Sequence, residues 1–324
     1  MFENMIEQLK SGKKRKLVFT EGTDPRILEA ASRLYRHGLL TPVLLGNADE
    51  IKTIATATGQ PIDGCEIVNP LDYPDIEAMV TKMVELRKGK MTADDCRKAL
   101  KKGNYFGTML VKMGGADGLL GGATYSTADT VRPALQIIKC KPGSKIVSSC
   151  FIMRRATDRG EELYVMADCA INLDPSEDEL VEIVLETART ARLFGIEPKV
   201  ALLSYSTLGS GKGETVDKVR KAADRLKAMQ LDFPVEGELQ FDAAFSPVVA
   251  KTKAPDSHVA GQANTFIFPN INAGNIGYKI AQRLGGFEAF GPILQGLNAP
   301  INDLSRGCNA DEVYKMAIIT TALK

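Results

Sequence analysis

Lys16-Leu17-Val18-Phe19-Thr20, with Thr23-Asp24-Pro25 close behind and an amphipathic run closed by Gly38, is the stretch whose reading decides the fold. The apolar run reads as a strand. Thr23 or Asp24 is placed to cap a helix, Pro25 suits its first turn, and the pattern predicts a helix near 25 to 37 with Gly38 as its stop. Val43-Leu44-Leu45 then starts a second strand. Short apolar runs alternating with longer amphipathic ones predict βα units and mainly parallel sheets.

The same alternation continues outward. Helices are expected from about 75 to 113, with Thr92 capping Ala93-Asp94-Asp95, before the apolar and Gly-rich Gly118-Leu119-Leu120-Gly121-Gly122. Ser126 or Thr127 caps the next helix. Strands near 146 to 153 and 163 to 168 precede a long helix near 176 to 194. Val200-Ala201-Leu202-Leu203, a helix near 214 to 229, Thr265-Phe266-Ile267-Phe268, and helices near 274 to 284 and 310 to 323 complete the chain. Its 324 residues exceed the usual size of one hydrophobic core, so two domains are expected, with the crossing at Lys141-Pro142-Gly143.

Composition removes several function classes. The chain carries 41 basic and 40 acidic residues, so no long-range field draws nucleic acid or a membrane surface, and any anion site must be local. No apolar stretch approaches the roughly 20 residues that span a bilayer. Six scattered cysteines without a Cys-x-x-Cys pair, and no charged-then-apolar leader, read as reduced thiols of a cytoplasmic protein. Only His37 and His258 are present, one closing a helix pattern and one in a loop. A Ser-His-Asp triad and a His-bound zinc are therefore disfavoured, and proton transfer falls to a carboxylate, thiol or lysine.

The chemistry concentrates near the end of the chain. Gly291-Pro292-Ile293-Leu294-Gln295-Gly296 is followed by Asn302-Asp303-Leu304-Ser305-Arg306-Gly307-Cys308 and then Asp311-Glu312. A guanidinium beside a hydroxyl in a Gly-flanked turn suits a phosphate or carboxylate oxygen, and a nearby carboxylate can take a proton. The plainer reading of the same residues is a polar turn with Asn309 as N-cap and Glu312 completing a capping box. Two further stretches could cradle a phosphate after a strand. Ser204 to Gly213 offers hydroxyls and amides but lacks the spacing of a nucleotide P-loop, and Thr124-Tyr125-Ser126-Thr127 precedes Arg132 at a helix start. Loop mobility and ordinary capping are the competing explanations there. Cys308, near Arg306 and a helix start, could be a nucleophile or simply a packed thiol. Cys150 and Cys169 read as core.

Gly-Pro-Ile-Leu-Gln-Gly, Pro300 to Cys308 and Gly237-Glu238-Leu239-Gln240-Phe241-Asp242 together resemble the phosphotransacetylases, in the phosphate acetyl/butyryltransferase family. The likeness extends over nearly the whole chain through Ala116 to Leu119, Arg132 to Lys139, Ser204 to Thr207 and Asn275 to Lys279. It implies two α/β domains with mainly parallel sheets, like those of isocitrate and isopropylmalate dehydrogenases, and an active site in the interdomain cleft. The last helix would return to the first domain, giving 1–145 plus 302–324 as domain I and 146–301 as domain II.

The implied reaction is acetyl phosphate plus coenzyme A giving acetyl-CoA plus phosphate, reversibly, by direct transfer in a ternary complex. Coenzyme A is then a substrate, and neither a metal nor a bound cofactor is required. The resemblance makes Arg306 the phosphate-holding group, Ser305 the hydrogen-bond donor to the acetyl oxygen and Glu312 the base, although the family usually has aspartate there. Asp311, one residue away and about 100° round the helix, is the alternative base. Arg87 and Arg132 become substrate-site arginines, with Ser126, Thr127 and Thr207 as further contacts, and a homodimer is implied. A longer acyl chain, a non-catalytic acyl-CoA sensor and a dehydrogenase relative are the competing functions.

Overall fold

In a computed structural model describing residues 2–158 and 160–324, the opening apolar run forms β1 (Lys16–Phe19), preceded by α1 (Phe2–Ser11). Asp24 caps α2 (Pro25–Arg36), its carboxylate accepting the Arg26 amide at 2.9 Å, and Gly38 stands just beyond the helix at φ 72°. β2 (Thr41–Leu45), α3 (Ala48–Ala57) and β3 (Glu66–Val68) follow. The helical stretch expected from 75 to 113 is three helices: α4 (Ile76–Arg87), α5 (Ala93–Leu100) and α6 (Gly103–Lys112). Thr92 caps the second of them through a capping box with Asp95. β4 (Gly118–Gly121) then leads to α7 (Thr127–Pro133), which continues as a π-helical turn over Ala134–Ile138.

The chain divides into two units, Met1–Pro142 with Leu297–Lys324, and Gly143–Gly296. The second contains β5 (Ser148–Thr157), β6 (Gly160–Ala167), α8 (Glu177–Leu193), β7 (Val200–Leu203), α9 (Glu214–Ala228) and β8 (Val235–Leu239). Two short helices, α10 (Phe241–Phe245) and α11 (Pro247–Lys253), precede β9 (Thr265–Ile267), α12 (Ile271–Arg283) and β10 (Glu288–Gln295). Its six-stranded sheet runs β10-β5-β6-β9-β7-β8, antiparallel over the first three strands and parallel over the rest. The Gly-Pro-Ile-Leu-Gln motif lies in β10. Gln295 is buried there, its Oε1 accepting the Ser148 and Thr187 hydroxyls and its Nε2 donating to Thr190 Oγ1 at 2.8 Å. A buried amide with each end satisfied holds strand to helix, so this half of the terminal motif is architecture.

The returning chain adds β11 (Ile301–Asp303) and α13 (Ala310–Ala322) to the first unit, and Cys140 bridges Leu297 where the two crossings meet. The five-stranded sheet there has the order β11-β4-β1-β2-β3, with every pairing parallel. All of its strands but the edge strand β3 are buried along nearly their whole length, which is why β1, β2 and β4 read as apolar runs. α13 packs on α2 and β4, while α6 packs on β1 and β4. The chain leaves β1 towards β2 and β3, then crosses back to set β4 on the other side of β1. Such a reversal separates the loops at the carboxyl ends of the central strands and leaves room there for a ligand.

Candidate active site

The carboxyl ends of β1, β4 and β11 each deliver polar groups to one place. Leu304 extends β11 by one bond, its amide donating to Gly121 O at 2.7 Å, and the chain then turns outward through exposed Ser305, Arg306 and Gly307. Cys308 N closes the turn on Ser305 O at 2.9 Å. Arg26 fixes that turn from below. Its Nη1 donates to Arg306 O and Cys308 O, both at 2.9 Å, while its Nη2 reaches Ala123 O at 3.0 Å and Asp24 Oδ2 at 2.7 Å. One guanidinium thus ties the turn after β11 to the loop after β4. The Arg306 guanidinium itself makes no hydrogen bond or ion pair with any described residue, so its donors are free for an anion.

The capping box expected at the start of α13 is present. Asn309 Oδ1 accepts the Glu312 amide at 2.9 Å and Glu312 Oε2 accepts the Asn309 amide at 3.0 Å. Asp311 points elsewhere, to Arg33 of α2 at 3.1 Å and to Lys315 at 3.0 Å, and these cations hold its carboxyl below the usual range. The two adjacent acids therefore serve different partners, as the helical rotation between them requires. Burial pushes the Cys308 thiol up to about 11 despite the nearby Arg26, and the Glu312 charge pushes it the same way. A thiol so raised is a poor nucleophile at neutral pH, which favours the packing reading of Cys308.

The β4–α7 loop ends at Ser126, and α7 carries Thr127 in its first turn and Arg132 in its last. Ser126 precedes α7 without capping it through its side chain; its hydroxyl donates to Asp129 Oδ2 at 2.7 Å. Thr127 Oγ1 donates at 2.6 Å to Asp303 Oδ2, and Thr130 Oγ1 at 2.6 Å to Asp303 Oδ1. Exposed Arg132 lies 3.9 Å from Asp129, its one ion pair among the described residues. Arg87 ends α4 with a buried Nε that has no partner. Both arginines act on Tyr105: burial raises its phenol and the two positive charges oppose that rise. Thr207 belongs to the second unit, where its hydroxyl is shared with the Gln240 amide and side chain.

Residues not singled out from the sequence also converge here. Glu21, two residues past β1, accepts the Gly122 amide at 2.9 Å, the Thr124 amide at 3.2 Å and the Thr20 hydroxyl at 2.7 Å. Burial raises its carboxyl above the ordinary value against those bonds. Burial likewise lifts Asp303 to about 6, with the threonine hydroxyls and Arg306 opposing the rise and Glu21 adding to it. The signal for Glu21 and Arg26 was a charged cluster directly after a strand, where a parallel sheet binds ligands. Among the described residues, no group of three or more His, Cys, Asp or Glu is arranged to hold a metal ion, and no helix is long and apolar enough to cross a membrane.

Fold and site together define an α/β group-transfer enzyme with a free guanidinium, a hydroxyl and a carboxylate at the carboxyl ends of a parallel sheet. The family profile described as Phosphate acetyl/butaryl transferase matches residues 1–321, and the chain belongs to that family. It is 55% identical over 317 residues to a phosphate acetyltransferase of Bacillus subtilis (strain 168), covering 98% of this chain and 97% of that protein. A phosphotransacetylase structure from Streptococcus pyogenes superposes with a TM-score of 0.94 at 55% identity, over 99% of this chain and 97% of the other. A branched-chain phosphotransacylase from Enterococcus faecalis V583 shares the fold, with a TM-score of 0.71 at 19% identity over 95% and 98% of the two chains.

Proposed function

We propose that this chain is a phosphate acetyltransferase, moving an acetyl group reversibly between acetyl phosphate and coenzyme A. The observation that carries the reading is the unpaired Arg306 guanidinium, exposed beside Ser305 and followed by Glu312, in a turn held by Arg26. Arg306 grips the phosphate of acetyl phosphate, and Ser305 donates to the acetyl oxygen as negative charge develops on it. The sulfur of coenzyme A attacks the acetyl carbon directly, the S–C bond forms, and the C–O bond breaks with its electron pair leaving on phosphate. Glu312 takes the thiol proton.

The base has one oxygen to spare. Oε2 of Glu312 is occupied by the Asn309 amide, whereas Oε1 accepts no hydrogen bond from a described residue. Free thiols and free glutamic acids differ by about four pKa units, so complete transfer between them costs roughly 5 to 6 kcal/mol. Water exclusion and arginine charge at the nascent thiolate narrow that gap. Arg87 and Arg132 assist the anionic substrates, aided by Ser126 and Thr127. In the second unit Thr207 is proposed as a further substrate contact. Coenzyme A enters as a substrate and no bound cofactor is needed.

The names of the relatives favour acetyl over butyryl. Two methylenes are worth only about 1 to 3 kcal/mol each in a pocket, so a chain-length series of acyl phosphates settles the preference. Phosphate-dependent release of free thiol from acetyl-CoA tests the activity itself, and a rate no higher than a buffer blank overturns it. We also infer a homodimer: α12 presents Ile276, Ile280 and, just beyond its end, Leu284 to solvent, a stripe a second copy would cover. Light scattering giving one chain mass at micromolar concentration would reject it. The six free cysteines suit the cytoplasm.

A further inference from the structure

Asp303 and Glu21 approach one another from flanking strands of the first sheet. Asp303 ends β11, Glu21 follows β1, and β4 lies between, so both carboxylates face the loop that begins at Gly122. Glu21 Oε1 takes the Gly122 amide at 2.9 Å, and a Cβ added at Gly122 would stand 2.2 Å from Asp303 Oδ1. Only a glycine fits between the two acids. Asp303 is 1% exposed and accepts two threonine hydroxyls, yet no cation among the described residues forms an ion pair with it. The charge acting on it from its own turn is that of Arg306, whose guanidinium makes no hydrogen bond or ion pair with a described residue.

We propose that Asp303, with Glu21 as its partner, is a positioning residue that sets how much of the Arg306 charge is available to an oxyanion, binding of the anion being coupled to protonation of this buried acid pair. The proposal rests on Arg306 being the phosphate-holding group. With the pair singly charged, Arg306 meets an incoming dianion at nearly full strength. With both acids ionised, their field offsets the guanidinium and the anion is held less tightly. By linkage, an anion that repels the Asp303 carboxylate favours its protonated form, so anion binding takes up part of a proton.

The groups facing Asp303 are Glu21 from the loop after β1, Tyr125 with Thr127 and Thr130 from the loop after β4 and α7, and Arg306 from its own turn. Glu21 is faced in addition by Arg26 of α2, by Cys308 and by the Thr20 hydroxyl. Burial holds Asp303 near 6, so the switch falls where the neutral form gives way just below neutral pH. The sign follows: affinity for a dianion is highest below that point and declines as pH rises through it.

Sulfate tests this without a titration of its own. Its inhibition constant against acetyl phosphate is measured from pH 5.5 to 8, alongside melting curves, for the wild type, Asp303→Asn, Thr130→Val and Glu21→Gln. Wild type should bind sulfate roughly three- to tenfold more weakly at the alkaline end. Asp303→Asn, which keeps a group able to pair with both threonines, should bind tightly with a flat profile. Thr130→Val removes a bond to the ionised carboxylate and should move the midpoint upward in pH; Glu21→Gln removes a like charge and should move it downward. A purely structural role would weaken sulfate equally at every pH. An Asp303→Asn profile with the wild-type slope, or midpoints unmoved in the other two variants, overturns the proposal. Arg306→Lys separates the two layers: sulfate inhibition unchanged in that variant refutes Arg306 as the anion's holder rather than Asp303 as its tuner.

Discussion

Glu312 and Asn309 exchange hydrogen bonds, the Glu312 carboxylate accepting the Asn309 amide at 3.0 Å and the Asn309 side chain accepting the Glu312 amide at 2.9 Å. The bonds that begin α13 are also the bonds that aim the proposed base. A carboxylate held by one oxygen has lost most of its rotational freedom, so its second oxygen is fixed relative to Ser305 and Arg306. Helix capping and proton transfer are therefore compatible uses of one residue.

Glu312→Gln separates the two uses. The amide oxygen can still accept the Asn309 backbone N–H, so stability should change by no more than about 1 kcal/mol. It cannot take a proton at neutral pH, and turnover should fall by about 10²- to 10⁴-fold. A melting curve and a thiol-release assay on the same preparation check this. Full turnover with an unchanged pH profile would leave the carboxylate a helix cap and nothing more.

Arg306→Lys should leave melting unaltered, because the guanidinium supports no other described residue. The charge remains, but the planar fork that matches two phosphate oxygens is lost. Turnover is expected to drop by about 10²-fold or more, with the phosphate KM rising. Near-normal kinetics would remove Arg306 from the site.

Cys308→Ala addresses the competing covalent route. The thiol is buried, touches Arg26 Nη1 at 3.7 Å and titrates at about 11, so roughly one molecule in 10⁴ carries the thiolate at pH 7. Turnover should stay within a few-fold of wild type, and mass spectrometry after mixing with acetyl phosphate should show no acetylated chain. A stoichiometric acetyl adduct on the wild type, absent from the variant, would restore a covalent mechanism.

Much of the fold was readable because its central strands are buried and many of its helices begin with explicit caps. Lys16–Phe19 and Val200–Leu203 are such strands, while Asp24, Thr92 and Asn309 accept the amides their positions suggested. What escaped was built from short or mixed sequence. Glu66–Val68 is a three-residue edge strand with no buried side chain, and Val235–Leu239 contains Glu236, Gly237 and Glu238, which break apolar periodicity. At the site, Ser305, Arg306 and Glu312 lie close in sequence and announced themselves as a turn. Arg26, Glu21 and Asp303 meet only because β11, β4 and β1 are neighbours, an order set by a chain crossing that no local pattern records.

Glu238 shows how such a break in pattern is stabilised, and it gives the acid limb of stability a specific cause. Its carboxylate is 1% exposed and accepts the Ser206 hydroxyl and Gly209 amide, both at 2.8 Å, with Arg220 bonding its two oxygens at 3.1 Å. Burial alone would raise its pKa, but Arg220, the Gly209 amide and Ser206 bring it down to about 2 from 4.5. A folded-state value below the unfolded one stabilises the protein above about pH 4.5, and that stabilisation fades as pH falls towards 2. The difference corresponds to about 3 kcal/mol. Glu238→Gln should flatten the decline of the urea midpoint between pH 5 and 3. Arg220→Met should instead lower stability at pH 7 by roughly 3 kcal/mol, because it strands a buried charge. The same carboxylate latches the 204–213 loop, so trypsin should cut Arg220→Met faster at Lys212 than wild type. A midpoint profile unchanged in Glu238→Gln would show that other carboxylates govern the acid transition.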